Sequence, residues 1–321
     1  MIVSSAIVRG RGPRLRSRHV ETVQMISFCG DMSQDRLDAS LDIDRRSSRD
    51  IVRIIQAEDA RIAAAVAAEG DRIALAVDQI TERLASGGRL FYAGAGTSGR
   101  IAMLDASELP PTYGIDPSLV RVLMAGGERA YFAAAEGAED DEEAAIAAVN
   151  LEVTSDDALI GIAASGTTPY TVAAVRRANM LGALTVGITS APNAPLAREA
   201  DIPIVAETGP EVVMGSTRMK SGTAQKMILN TISTGVMIRL GHVYSNLMID
   251  MPATNEKLRN RAVRMVELVS GAARPASVQA LRDADGNVKL AVVMANKRLS
   301  RDDAQRLLDA HHGRLREVLE S

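Results

Sequence analysis

One stretch of the chain, residues 88–112, constrains the fold more than any other. An apolar run at 90–93 is followed by a glycine-rich turn and then by a helical pattern over 100–107. Such a run is typical of a buried strand, and glycines allow the tight turn after it. The order places the free N–H groups of a helix N-terminus at the loop, where an anion can bind. Thr97 and Ser98 add hydroxyl donors, so the stretch predicts a phosphate site between a strand and a helix.

Glu108 lies at the far end of the same helical pattern, directly before Leu109 and the pair Pro110 and Pro111. Because proline lacks the N–H donor, the pair predicts that the helix ends there, with Glu108 in its last turn. The negative end of the helix dipole and the carboxylate of Asp105, one turn earlier, would both favour the protonated form of Glu108. Glu108 is therefore a candidate general acid.

The strand–loop–helix pattern recurs later in the chain. An apolar run at 158–164 precedes a loop with Ser165, Gly166 and Thr168, and a helical pattern follows. Pro169 suits the first turn of that helix, where its missing N–H is not needed. Two hydroxyl-rich loops, each at the end of an apolar strand, predict one bipartite site for a phosphate ester.

Further strands are predicted at 119–125, 184–189 and 202–205, and they alternate with helical patterns. Such alternation implies a parallel sheet with helices on both faces and ligands at the C-terminal strand ends. The sequence therefore predicts an α/β fold: a doubly wound, mainly parallel sheet of flavodoxin-like or Rossmann-like type. N-terminal helices precede this sheet, and a small helical subdomain follows it.

The chain of 321 residues is expected to have three parts. Residues 1–31 are rich in arginine and poor in acid, which favours a disordered N-terminal extension over a transit peptide. Residues 32–268 form the α/β domain with its leading helices, and residues 269–321 form the helical subdomain. In the helical subdomain, Ser300 is the first residue of a capping-box pattern. The two histidines at 311–312 have no third metal ligand nearby in the sequence, which favours exposed surface residues over a metal site.

Composition excludes several classes of function. A net charge of −3 gives no footprint for nucleic acid or an anionic membrane. The single cysteine, Cys29, excludes an internal disulfide and fits a reducing cytosol. No apolar run reaches the roughly 18 residues of a membrane span. We therefore expect a cytoplasmic protein that binds neither nucleic acid nor membrane.

Two more segments carry candidate polar groups. Glu139 precedes the acidic run 140–143, whose own charges suit the start of a helix. Further on, Ser216 and Thr217 precede a long helical pattern and are natural N-caps. Lys220 nearby makes sugar or phosphate contacts an equally open interpretation of these hydroxyls.

These motifs together resemble the N-acetylmuramic acid 6-phosphate etherase family. The matching segments are 94–100 with 104–108, 136–140, 163–166 with 168–170, 209–211 with 215–220, 222–226 with 230, and 246–248 with 253–255. The resemblance implies a sugar isomerase (SIS) domain, a homodimer with its site near the subunit interface, and a small sugar-phosphate substrate. It implies no cofactor and no metal. The implied activity is cleavage of the D-lactyl ether by elimination and hydration, in peptidoglycan recycling.

The resemblance also assigns roles to single residues. It makes Glu108 and Glu139 the catalytic carboxylates, with Glu108 as the acid and Glu139 as the base at C2. The implied substrate- and phosphate-binding residues are Thr97, Ser98, Gly99, Ser165, Gly166, Thr168, Glu211, Ser216, Thr217 and Lys220. The sequence departs from the family at Thr167 and His242, where arginine and lysine are usual.

Three other functions stay open from the residues. Gly94, Gly96 and Gly99 match the fingerprint of a dinucleotide-binding dehydrogenase, but that fingerprint requires an acid about 20 residues further on. A non-catalytic sugar-phosphate regulator could share the domain, although it would not need both Glu108 and Glu139. A sugar-phosphate isomerase would bind the same ester without releasing lactate.

Overall fold

A parallel sheet of five strands forms the centre of the computed structural model, which describes residues 35–321. The strands are β1 (Leu90–Gly94), β2 (Val120–Met124), β3 (Ala158–Ile162), β4 (Leu184–Thr189) and β5 (Ile202–Val205). Each pairs with its neighbours in parallel, in the order β2-β1-β3-β4-β5. The predicted α/β class with a parallel sheet is confirmed.

Helices surround the sheet and continue beyond it. They are α1 (Ser48–Asp59), α2 (Ile62–Ala68), α3 (Gly70–Ala85), α4 (Gly96–Tyr113), α5 (Glu142–Glu152), α6 (Pro169–Met180), α7 (Pro195–Glu199), α8 (Lys220–Arg239), α9 (Glu256–Ser270), α10 (Arg274–Asp283), α11 (Val288–Lys297), α12 (Arg301–Ala310) and α13 (Leu315–Glu320). Helices α3, α4 and α8 cover one face of the sheet, and α5, α6 and α7 cover the other. Every residue of β1, β3 and β4 is buried, which explains why β1 and β3 read as unbroken apolar runs and why β4 is interrupted only by threonine and glycine.

The strand order places a crevice at the C-terminal ends of the strands. The chain runs outward from β1 to β2 in one direction and from β3 to β5 in the other, so the order reverses between β1 and β3. In sheets of this order, ligands bind above the C-terminal strand ends at that switch point. The two loops that the sequence selected, after β1 and after β3, therefore lie side by side.

Helix α4 differs from the prediction. It continues through Pro110 and Pro111 and ends at Tyr113, so the expectation that the proline pair stops it was wrong. The pair removes two N–H donors near the C-terminus of α4, but the helix continues through it. The stop comes at Gly114, which adopts the left-handed conformation (φ +65°) typical of a helix end.

The C-terminal helices form a hydrophobic core of their own, which extends from Ile249 to Val318. Helix α9 packs within this cluster against α10 and α11, although the predicted boundary at 268 assigns most of it to the α/β domain. Ser300 caps α12 by accepting a hydrogen bond from the Asp303 N–H (3.2 Å). The domain limits stay a prediction, and the N-terminal extension at 1–31 lies outside the described residues. Within 35–321, no helix has the length and apolar character of a membrane span.

Candidate functional site

A polar cavity of about 310 Å³ opens at the switch point between β1 and β3. The predicted site residues that line it are Thr97, Ser98, Glu139, Ser165, Thr168 and Thr217. The structure therefore brings the two hydroxyl-bearing loops together with one of the two candidate carboxylates, although Thr97 and Glu139 are 42 positions apart in the chain (139 − 97).

The first side of the cavity is the N-terminus of α4. Ala95 precedes the helix and has no capping side chain, so the first N–H groups of the helix have no partner of that kind. Such groups carry the positive end of the helix dipole and can bind an anion. Gly99 lets the helix approach the sheet, because a Cβ there would lie 2.2 Å from Met124 Sδ and 2.8 Å from the Gly94 carbonyl oxygen. Gly99 thus shapes the loop by close packing.

The second side is the loop between β3 and α6. The Ser165 hydroxyl accepts hydrogen bonds from the Thr167 N–H (3.2 Å) and the Thr167 hydroxyl (2.9 Å). Gly166 has φ +65°, and a Cβ there would lie 2.5 Å from Ala194 Cβ. Helix α6 then starts with Pro169 in its first turn, as predicted, and the side chain of its N-cap residue, Thr168, makes no capping hydrogen bond. A second set of helix N–H groups and hydroxyls therefore faces the cavity.

Glu139 reaches the cavity from the segment 126–141, the connection between β2 and α5. It lies in a short 3-10 turn, Ala138–Asp140. Glu139 also lines a second cavity of about 230 Å³ between this segment and α4, together with Arg100 and several alanines. It is the one charged side chain among the residues that line the larger cavity, so the site pairs hydroxyl and N–H donors with a single carboxylate.

Glu108 lies elsewhere on α4. It is exposed and lines neither of these two cavities. Neither the end of the helix nor the Asp105 carboxylate lies where the sequence predicted it beside Glu108. Helix α4 continues past Glu108, and the Asp105 carboxylate points into the core. There Asp105 accepts hydrogen bonds from Tyr92 (2.8 Å), Ser233 (3.0 Å) and Asn230. Burial, with the neighbouring Asp105 carboxylate, raises the pKa of Tyr92 well above its usual range, so the phenol keeps its proton for this bond.

Glu211 and Lys220 do not reach the cavity. The Lys220 side chain is 1% exposed, and its ammonium pairs with the Glu58 carboxylate at 2.7 Å. The Glu211 carboxylate accepts hydrogen bonds from the backbone N–H groups of Lys220 and Ser221, both at 3.0 Å, which satisfies the start of α8. Ser216 is half-buried and lies outside the cavity lining, between Gly215 and Thr217, which are part of it.

Two of these residues have roles that the sequence did not identify. Thr167 lines the cavity and holds Ser165, although it stood out in the sequence as a departure from a family pattern. Glu58 interrupts the apolar face of α1, and that interruption was the visible signal of its buried pairing. Its partner Lys220 is 162 positions away, so no local pattern could identify the pair.

Comparison with known proteins adds a family context. A model described as "Glucokinase regulatory protein N-terminal SIS domain" matches residues 72–179, and one described as "SIS domain" matches residues 128–234. The N-acetylmuramic acid 6-phosphate etherase of Symbiobacterium thermophilum is 56% identical over 262 residues, which cover 82% of this chain and 87% of that protein. The protein of the same name from Clostridium beijerinckii is 48% identical over 289 residues, covering 90% and 95%.

Among solved structures, a phosphoheptose isomerase from Francisella tularensis is similar to this chain. It has 17% sequence identity and a TM-score of 0.47, and the match covers 60% of this chain and 100% of that one.

Proposed function

We propose, from the premise that this chain belongs to the N-acetylmuramic acid 6-phosphate etherase family, that Glu139 and Glu108 together carry out its reaction. The enzyme is a carbon–oxygen lyase. It cleaves the D-lactyl ether of N-acetylmuramic acid 6-phosphate, giving N-acetylglucosamine 6-phosphate and D-lactate, a step of peptidoglycan recycling. Family membership favours this activity over a non-catalytic regulator, an isomerase or a dehydrogenase. We place the enzyme in the cytoplasm, where a phosphorylated sugar is retained.

The phosphate end of the substrate belongs in the larger cavity. Hydroxyls of Ser98, Ser165 and Thr168 and the N–H groups at the starts of α4 and α6 supply donors there. Hydrogen bonds to a charged phosphate are stronger than those between neutral groups. The observation that carries the proposal is the presence of Glu139 in the wall of this same cavity, because it puts a proton acceptor beside the bound sugar.

The chemistry needs two proton transfers. When the sugar ring opens, the C1 aldehyde acidifies the proton on C2, and the Glu139 carboxylate accepts that proton. The electron pair moves to form the C2–C3 double bond, the C3–O bond breaks, and its electrons go to the lactyl oxygen. Glu108 donates a proton to that oxygen, so D-lactate leaves neutral at its hydroxyl. Water then adds to C3 with Glu108 as base, and C2 regains a proton from Glu139.

Helix geometry favours a second copy of the chain as the source of Glu108. Ser98 and Glu108 lie ten positions apart on α4, which at 1.5 Å per residue is about 15 Å along the helix axis. The phosphate would bind beyond the N-terminal end of that helix, so the sugar would have to stretch along the whole flank of α4. A neighbouring protomer could instead present its own Glu108 at the mouth of the cavity.

The surface beside Glu108 fits such an interface. Leu104, on the preceding turn of α4, is 54% exposed. A partner seated on this face of α4 would bury Leu104 together with Glu108. A two-fold dimer would bury both copies of this helix face and complete both sites at once.

The first experiment measures two readouts on purified variants. Glu139→Gln removes the base and is expected to slow exchange of the C2 proton with solvent by about 100-fold to 10,000-fold. Glu108→Gln is expected to abolish D-lactate release while C2 exchange and phosphate-ester binding persist. Glu143→Gln, an exposed neighbour on α5, is the control and keeps both rates. Normal C2 exchange in Glu139→Gln would remove Glu139 as the base.

Co-expression of the two inactive variants then tests the dimer. Random pairing makes half of the dimers mixed, and each mixed dimer has one intact site of two. If Glu108 acts across the interface, the mixture recovers about a quarter of the wild-type activity. If both glutamates act within one chain, the mixture stays inactive.

A further inference from the structure

We propose that Arg100 is a positioning residue for Glu139: its guanidinium holds the segment 126–141 so that the Glu139 carboxylate faces the bound sugar. This inference rests on the proposed role of Glu139. Arg100 lies in the first turns of α4, two positions after Ser98. The helix that presents the phosphate-binding hydroxyls therefore also holds the segment with the base.

Three hydrogen bonds carry the inference. The Arg100 Nε–H donates to the carbonyl oxygens of Ala130 (3.1 Å) and Tyr131 (3.3 Å). An Nη–H of the same guanidinium donates to the Ala133 carbonyl oxygen (3.0 Å). The planar guanidinium of arginine fixes the direction of each N–H donor, so three carbonyl oxygens that point toward it form a specific contact. The last of them is six positions from Glu139.

The segment has few other anchors. Residues 133–138 read Ala-Ala-Ala-Glu-Gly-Ala, so apart from one glutamate they carry no polar side chain. The backbone hydrogen bonds found for 127–141 join residues of this segment to each other or to Met124 at its start and Ala145 at its end. Ala130 is buried at 2% exposure and Ala138 packs on the core beside α6, whereas Phe132 is 94% exposed. Across residues 35–321, no hydrogen bond to the segment other than those of Arg100 comes from α4.

An ordinary structural role for Arg100 does not account for these contacts. In the described part of the chain, no carboxylate lies within ion-pair distance of its guanidinium, so Arg100 is not one half of a surface salt bridge. Its charge instead faces backbone dipoles at the wall of the smaller cavity, which Glu139 also lines. The position of the Arg100 guanidinium is thus linked to the position of the Glu139 carboxylate.

The test separates kcat from KM in D-lactate release. Arg100→Ala is expected to lower kcat by about 100-fold, the cost of a misplaced reacting group, with KM changed by less than about threefold. Arg100→Lys keeps the charge but can reach fewer of the carbonyls, so its kcat is expected to fall by about tenfold. Millimolar guanidinium ion is expected to restore part of the lost kcat in Arg100→Ala. The control is Arg129→Ala, which removes an exposed arginine from the same segment and should leave kcat and KM unchanged.

Each result decides the question. Normal kcat in Arg100→Ala, or in Arg100→Lys if the alanine variant does not fold, overturns the inference. So does a raised KM with unchanged kcat, because that would make Arg100 a substrate-binding group. Glu139→Gln measured in parallel keeps the two proposals apart. If Glu139→Gln retains C2 exchange, the proposed base falls; if it loses exchange while both Arg100 variants stay normal, only the positioning role falls.

Discussion

Two regions of this molecule carry the same kinds of polar residue and use them in opposite ways. The loops after β1 and β3 point Ser98, Ser165 and Thr168 into an open cavity. The segment before α8 also offers hydroxyls, a carboxylate and a cation, yet Glu211 and Lys220 are buried. Both regions precede a helix. The difference lies in how each helix start is satisfied.

The N-terminus of α8 is closed by the protein itself. The Glu211 carboxylate accepts hydrogen bonds from the N–H groups of Lys220 and Ser221, so neither of these two donors is left for a ligand. The N-cap residues of α4 and α6, Ala95 and Thr168, make no side-chain cap, and both helix starts lie at the crevice between β1 and β3. We therefore propose that a helix start with hydroxyls binds a ligand where the chain leaves it uncapped, whereas at α8 an internal carboxylate caps the helix and makes its start part of the folded core.

The largest effect on stability is expected at the buried pair of Glu58 and Lys220. Lys220→Met leaves the buried Glu58 carboxylate with only the exposed Arg61 guanidinium (3.4 Å) as a partner, which is expected to cost up to about 3–5 kcal/mol of unfolding free energy. Urea denaturation measures it. The double variant Glu58→Met/Lys220→Met removes both charges at similar volume and should recover most of that loss. A fully stable Lys220→Met with weakened substrate binding would return Lys220 to the site.

The pair also marks what sequence can and cannot predict here. The strands predicted at 184–189 and 202–205 match β4 and β5 residue for residue, because β4 is buried throughout and β5 is buried at Ile202 and Ile204, so apolar side chains mark both strands in the sequence. The two hydroxyl loops were predicted as one site, because parallel strands bring their C-terminal ends to one edge. Lys220 and Glu58 could not be paired, since their contact depends on how α1 meets α8 across 162 positions.

Glu108 illustrates a second limit. The rule that proline ends a helix placed it in a last turn, and the i, i+3 spacing placed Asp105 beside it. Helix α4 instead tolerates both prolines, and Asp105 turns inward because Tyr92, Asn230 and Ser233 offer it donors from other elements. Local rules describe what a segment prefers alone, whereas buried donors elsewhere decide which way a carboxylate turns.

A smaller effect is expected from the cap of α8. Glu211→Ala removes the acceptor of two buried N–H groups, and each buried donor left without a partner is costly, so we expect a loss of about 1–3 kcal/mol of unfolding free energy. Glu211→Gln keeps one carbonyl oxygen as acceptor and should lose less. Thermal melting of both variants gives the order. Equal melting points for Glu211→Ala and the parent chain would mean that the carboxylate does not cap α8, and the contrast between the two regions would fail.

The smallest effect belongs to the open region. Ser165→Ala removes one hydroxyl from the cavity and leaves Thr167 without that partner, so we expect sugar-phosphate binding to weaken by about tenfold, or about 1.4 kcal/mol, with the melting point unchanged. Titration calorimetry with N-acetylglucosamine 6-phosphate measures the affinity. The control is Ser155→Ala, an exposed serine at the opposite end of β3, which should alter neither quantity. If Ser165→Ala lowers the melting point and keeps its affinity, the loop after β3 stabilises the fold, as the start of α8 does, and does not bind the ligand. The contrast between an open and a capped helix start would then no longer hold.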